Sequence, residues 1–177
     1  MAKKKATIDA IVEKKTVMRL PVVSLGAEFL VMGHLMRRNI LAYKAPSYNE
    51  GYDIICIHPD PRKSGKQIRV QVKSRYQSDS DGGFPLKKES LDGFDFLIFV
   101  KLNIGYFFSK HKIGNSSIIG RQEVEYYTLT REFCLENHKV EGKWQKVKTN
   151  GINMDKYKNE KGIELIAKKL KVDYPTK

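Results

Sequence analysis

A carboxylate, Asp53, interrupts the apolar run Gly51-Tyr-Asp-Ile-Ile-Cys-Ile57. Further on, an amide and an ammonium group, Gln71 and Lys73, alternate with apolar residues in Gln67-Ile-Arg-Val-Gln-Val-Lys-Ser74. Successive side chains of a strand point to opposite faces, so the second segment turns Ile68, Val70 and Val72 one way and Arg69, Gln71 and Lys73 the other. If the two segments pair as a hairpin through Pro59-Asp-Pro-Arg-Lys-Ser-Gly65, then Asp53, Gln71 and Lys73 meet at one end of a sheet. Carboxylate and amide oxygens side by side can ligate a hard divalent cation, and a lysine beside them can act on a water or on developing negative charge. That is the layout of a metal-dependent phosphodiesterase site. The same residues also allow a plainer assignment, because any half-exposed antiparallel strand alternates in this way and Asp is common at turns.

A third element bears on the choice. Residues Ser24 to Asn39 read as a helix with Ser24 as N-cap and with Leu25, Phe29, Met32, Leu35 and Met36 on an apolar arc. At about 100° per residue Glu28 falls inside that arc, away from the polar face of His34, Arg37 and Arg38. A carboxylate turned toward a core needs a partner, because unpaired burial is costly or forces protonation. A metal, its bound water or a lysine would serve.

An acidic residue on a first helix, Asp on the next strand and Gln-x-Lys on the one after form a specific order. With Glu28, Asp53, Gln71 and Lys73 at the four motif positions, the chain resembles the PD-(D/E)XK nuclease superfamily over residues 22 to 109. Within it, the small forms similar to archaeal Holliday junction resolvases and to some intron-encoded and restriction endonucleases share the pattern that stands here as Gly51-Tyr52-Asp53 and Gln71-Val72-Lys73-Ser74. The resemblance implies an α/β, restriction-endonuclease-like fold, a mixed central β-sheet flanked by α-helices. It also implies an endonuclease that hydrolyses DNA phosphodiester bonds with Mg²⁺, for which Mn²⁺ can substitute. The substrate would be double-stranded or branched DNA, with restriction-type cleavage ahead of structure-selective cleavage. Cutting both strands calls for two sites, hence a homodimer. Asp53, Gln71 and the main-chain carbonyl of Val72 would hold the metal, Glu28 would hold its water or complete a second site, and Lys73 would orient or deprotonate the attacking water. Two departures stand out. Tyr52 replaces a common Pro, and Gln71 stands where Asp or Glu is usual, which leaves one negative charge fewer and weaker Mg²⁺ binding. The neutral amide favours the alternative, a non-catalytic DNA-binding module that keeps the nuclease fold.

Composition agrees with a polyanionic partner. Lys and Arg number 33 against 20 Asp and Glu, a formal net charge of +13 in 177 residues. Basic clusters occur at Lys3-Lys-Lys5, Lys14-Lys15, Arg37-Arg38 and from Lys139 to Lys177, where Trp144, Tyr157 and Tyr174 interleave with lysines in a composition suited to backbone contacts plus stacking. We expect one domain over residues 1–177: a basic N-terminal arm or helix (1–20), a motif-bearing core (22–109) and a basic C-terminal part (110–177). No apolar stretch is long enough to cross a membrane and no hydrophobic region follows the lysine-rich start, so neither membrane insertion nor a signal peptide is expected. Cys56 and Cys134 show no zinc or redox spacing, which suits buried thiols in a cytoplasmic protein. The histidines His34, His58, His111 and His138 lack metal-ligand spacing and receive no catalytic role.

The remaining segments are read more coarsely. Gln77 to Gly83 is a polar, glycine-rich loop, a candidate for the substrate side of Lys73 or, more simply, a disordered tip. Phe94 to Val100 is a buried strand, with Gly105 to Ser109 as its hairpin partner across Leu102-Asn-Ile104, and Asp95 is a structural residue or an alternative acid. A strand is expected at Glu123–Thr128, a capped helix at Thr130–His138 and an amphipathic helix at Asn159–Leu170 with Ile163, Ile166 and Leu170 on one face. Thr7 to Lys15 reads as a short helix that could pack on another subunit.

Overall fold

The computed structural model describes residues 21–77, 83–105 and 123–173. It begins with helix α1, Pro21–Arg37. Proline suits a first helical turn, where its missing N–H has no partner to lose. The helix stops where Asn39 adopts a left-handed φ of 60° and Ile40 N donates back to Leu35 O at 3.1 Å. Ser24 therefore lies inside the helix rather than capping it.

A five-stranded sheet follows, built from β1 (Leu41–Lys44), β2 (Ile54–Ile57), β3 (Gln67–Gln77), β5 (Phe96–Gly105) and β6 (Glu125–Thr130), adjacent in that order. Strands β3 and β5 are parallel and the other neighbours antiparallel, which makes the sheet mixed. The expected β2–β3 hairpin is present in the register Ile54↔Val70 to Ile57↔Gln67. A second, antiparallel sheet has the order β4 (Gly83–Pro85), β8 (Trp144–Lys148), β7 (His138–Glu141). Helices α2 (Arg131–Glu136) and α3 (Asn159–Leu170) complete the described fold. Thr130 caps α2 by accepting from Phe133 N at 3.1 Å.

Alternation along the central strands creates two cores. Ile68, Val70 and Val72 of β3 with Phe96, Ile98 and Val100 of β5 pack against Ala27, Val31 and Leu35 of α1 and Ile163, Ile166 and Leu170 of α3. On the opposite face Leu97 and Phe99 pack with Phe84, Leu91, Phe94, Phe133 and Val147. Because β5 is apolar on both faces it sits between layers, as central strands do. The fold is thus α/β, a mixed sheet with α1 and α3 on one side and the small sheet and α2 on the other. Cys56 and Cys134 belong to different cores, and burial pushes each thiol up to about 12.

Three expectations need correction. Strand β5 runs unbroken through Leu102 to Gly105, so no hairpin turns at Leu102–Ile104 and the antiparallel partner is β6; Tyr106–Ser109 lie outside the described residues. An Asn103 φ of 53° and a shift in the β3–β5 register absorb the local irregularity within the strand. The buried stripe of α1 is Ala27-Val31-Leu35, which lets the helix approach the sheet closely, while Leu25, Phe29 and Met36 of the expected arc face solvent. Tyr157, read as a stacking residue, is buried edge-on to Phe133 at 4.9 Å. Thr7–Lys15, most of Gln77–Gly83, His111 and Tyr174 lie outside the described residues.

Candidate active site

Asp53 stands one residue before β2, opposite Gln71 in a continuation of the β2–β3 register. Its main chain is tied on both sides. Asp53 N donates to Val70 O at 2.9 Å, and Asp53 O accepts from Ala45 N at 2.8 Å. Its side chain takes over a ladder position, since Oδ2 accepts from Val72 N at 2.7 Å. Among the described residues Oδ1 accepts no hydrogen bond and remains available. The two strands part at this point, so the carboxylate is fixed at the end of the paired segment.

Gln71 lies on the second-core face of β3, level with Leu97 of β5. It is 8% exposed, and its Oε1 is buried with no hydrogen-bond partner among the described residues. A buried acceptor left unsatisfied costs about 1–3 kcal/mol, so this oxygen calls for a donor, a water or a cation. Lys73, two residues on and on the same face, makes no ion pair among the described residues. It lines a cleft of about 1090 Å³ whose other walls include Glu50 and Gly51, Lys87 and Glu89, and Lys143 and Trp144. Gly51 is needed where it stands: its φ is 102°, and a Cβ there would come 2.8 Å from Gly93 Cα. The close approach of these two glycines fixes the Asp53 loop against the start of β5.

Glu28 goes elsewhere. Its side chain is 16% exposed and paired with Lys44 of β1, on the helix side of the sheet, whereas Gln71 and Lys73 alternate to the other face. Of the partners that would satisfy it, the structure supplies a lysine. Asp95 is bound by Arg69, whose main-chain N donates at 2.8 Å and whose guanidinium donates at 3.3 Å. Burial alone would raise the Asp95 pKa, but the hydrogen bonds and charge of Arg69 outweigh it and hold the carboxyl below its ordinary value. Asp95 is therefore a latch between β3 and β5. His58 is buried with Nδ1 on the main chain of Asp60, a turn contact.

A hard cation fits part of this set. Asp53 Oδ1 and the orphaned Gln71 Oε1 are the kind of oxygens Mg²⁺ takes while keeping several waters. Among the described residues no three His, Cys, Asp or Glu side chains gather into a metal site: one position is an amide, and Glu28, expected beside the metal, is engaged by Lys44. The local pattern did not show Glu50, Lys87, Lys143 and Trp144 as neighbours of Lys73; they come from loops and from the second sheet, and periodicity carries no signal of such contacts.

No protein-family model matches the chain, and no curated protein matches it. Among solved structures it is similar to that of a bacterial homing endonuclease, I-Ssp6803I, with 15% sequence identity and a TM-score of 0.48 over 82% of this chain and 89% of that one.

Proposed function

We propose that this protein is a restriction-endonuclease-like DNA endonuclease that uses Mg²⁺ at Asp53 and Gln71. The observation that carries the reading is the buried Gln71 Oε1 opposite Asp53, without a partner among the described residues, and Lys73 beside it on a cleft wall, without an ion pair among them. Asp53 Oδ1, Gln71 Oε1 and the Val72 carbonyl would hold the cation, which supplies an acidified water and charge neutralisation at phosphorus. Lys73 would orient that water and offset charge on the phosphoryl oxygens. Val72 N, by holding Oδ2, fixes the carboxylate so that Oδ1 is the free ligand. Glu28 enters as a carboxylate that must leave Lys44 to take part, so the reading rests on the three strand residues. Plasmid and branched DNA incubated with Mg²⁺ or Mn²⁺ test it directly: nicked or linear products that EDTA suppresses are expected. Intact DNA under every condition would leave the alternative, a non-catalytic binding module.

Gln71→Glu gives a sharper measurement. A carboxylate in place of the amide adds charge to the cation shell, and Mn²⁺ affinity should rise by roughly an order of magnitude. Titration calorimetry of both proteins reads this without any cleavage assay. Equal affinities would remove Gln71 as a ligand.

A homodimer belongs to the proposal because duplex cleavage needs two sites. Its support is the solvent face of α1, where Val22, Leu25, Phe29 and Met36 are exposed at steps of three, four and seven residues, the spacing of a helix–helix seam, with Phe29 55% exposed. A second copy of α1 would cover it. Phe29→Glu should then halve the mass seen by sedimentation at micromolar concentration while leaving the circular dichroism unchanged. A wild type that sediments as a monomer would withdraw the dimer.

A further inference from the structure

Trp144 is the one tryptophan of the chain and is 72% exposed. It stands at the base of a two-residue turn, Gly142-Lys143, where the pair Glu141↔Trp144 closes the β7–β8 hairpin and Gly142 takes a φ of 60°. A two-residue turn of this kind sets the register of its strands, so Trp144 stands opposite Glu141. The indole lines the cleft of about 1090 Å³ that reaches Lys73, and it also lines an adjoining cleft of about 310 Å³ bounded by Arg75 and Lys146. A large apolar ring left this exposed on a paired strand and flanked by cations is poorly explained by packing, since the inner face of the small sheet is already filled by Phe84 and Val147.

Resting on the endonuclease reading, to which Lys73 ties this cleft, we infer that Trp144 is a stacking platform for a nucleobase next to the phosphate that Lys73 receives, and that the preferred substrate is DNA with a base already unstacked, at a branch, gap or flap. Two physical points select this partner. Lys143 and Lys87 sit in the same cleft and make no ion pair among the described residues, so they are free to meet the phosphates on either side of a stacked base. In an intact duplex both faces of every base are covered by neighbours, so an indole can stack only after unstacking has been supplied, whereas a branch or gap supplies it in advance. The hairpin thus acts as a specificity element and Trp144 touches base rather than scissile phosphate.

Because the chain holds a single indole, its emission reports the contact. Full-length protein in EDTA, where no cleavage occurs, is titrated with a three-way branched DNA and with an intact duplex of the same sequence while anisotropy of a label on the DNA measures binding. Strong quenching on the branched DNA and little on the duplex is expected. Trp144→Ala should weaken binding to the branched DNA by roughly tenfold or more, and Trp144→Phe by about threefold at most, with duplex binding little changed by either. Since Trp144 is at the surface, both variants should fold, and circular dichroism checks this. Unchanged emission on saturating branched DNA, equal quenching by the duplex, or wild-type affinity of Trp144→Ala would each overturn the inference. A protein that cleaves DNA with unchanged emission would lose this inference and keep the endonuclease reading. One that binds branched DNA with quenching and never cleaves would do the reverse.

Discussion

Asp53→Asn is expected to lower DNA cleavage by at least about a thousandfold while leaving DNA affinity within about threefold of wild type. Asparagine keeps an oxygen to accept from Val72 N, so the junction of β2 and β3 should survive, but it removes the charge through which Oδ1 would hold the cation. Affinity should persist because on this reading it would come from Lys and Arg on phosphates, and the loss of an anion near them does not oppose it. Asp53→Ala is the informative companion. It also strands the Val72 N–H, a loss of about 1–3 kcal/mol, so it should melt earlier than Asp53→Asn while being equally inactive. Supercoiled-plasmid nicking and electrophoretic shift assays on both variants read the two effects separately. A cleavage rate near wild type in Asp53→Asn would refute the site.

Gly93→Ala is expected to cost about 2–4 kcal/mol, or roughly 5–15 °C in melting temperature, although it adds a single methyl group. The new Cβ would lie 2.5 Å from Gly51 Cα and 3.1 Å from Gly51 C, and neither atom can swing aside as a side-chain tip could. Relief requires the Asp53 loop to retreat from the start of β5, and Asp53 is two residues from Gly51. Cleavage should therefore fall more than DNA binding even below the melting transition. Gly33→Ala is the control: open space surrounds that helical glycine, and alanine there should stabilise by up to about 1 kcal/mol. Thermal melts of the two variants give the comparison, and equal melting temperatures would show that the Gly51–Gly93 contact does not constrain the fold.

What the sequence disclosed and what it withheld divide along a physical line. Period-2 alternation in Gln67–Ser74 set the faces of β3, and with it the pairing of Asp53 opposite Gln71, because burial on one side leaves a single register. Thr130 announced α2, and the spacing of Ile163, Ile166 and Leu170 announced the buried face of α3. Strands β7 and β8 went unread because His138-Lys-Val-Glu141 and Trp144-Gln-Lys-Val-Lys148 are short and charged; Val147 is the buried anchor that pairing provides. The face of α1 was misjudged for the opposite reason. Its bulky residues suggested the core side, while the sheet accepts the smaller Ala27 and Val31, and Glu28 consequently meets Lys44. The Gly51–Gly93 contact joins segments remote in sequence, which no local pattern could reveal.

The small sheet is attached to the second core chiefly through Phe84 and Val147, and its outer strand carries Lys139 and Val140 into solvent. On the proposed reading, chemistry and recognition would sit on separable foundations, one on the paired strands that hold Asp53 and Gln71, the other on a hairpin whose exposed positions can change at little cost to folding. Substrate choice would then be open to rapid divergence: successive substitutions at the exposed hairpin positions could redirect the protein to new targets while Asp53 and Gln71 stay as they are, and the same property makes Lys139, Val140, Lys143 and Trp144, rather than the buried Val147, the positions to randomise in a selection for altered specificity.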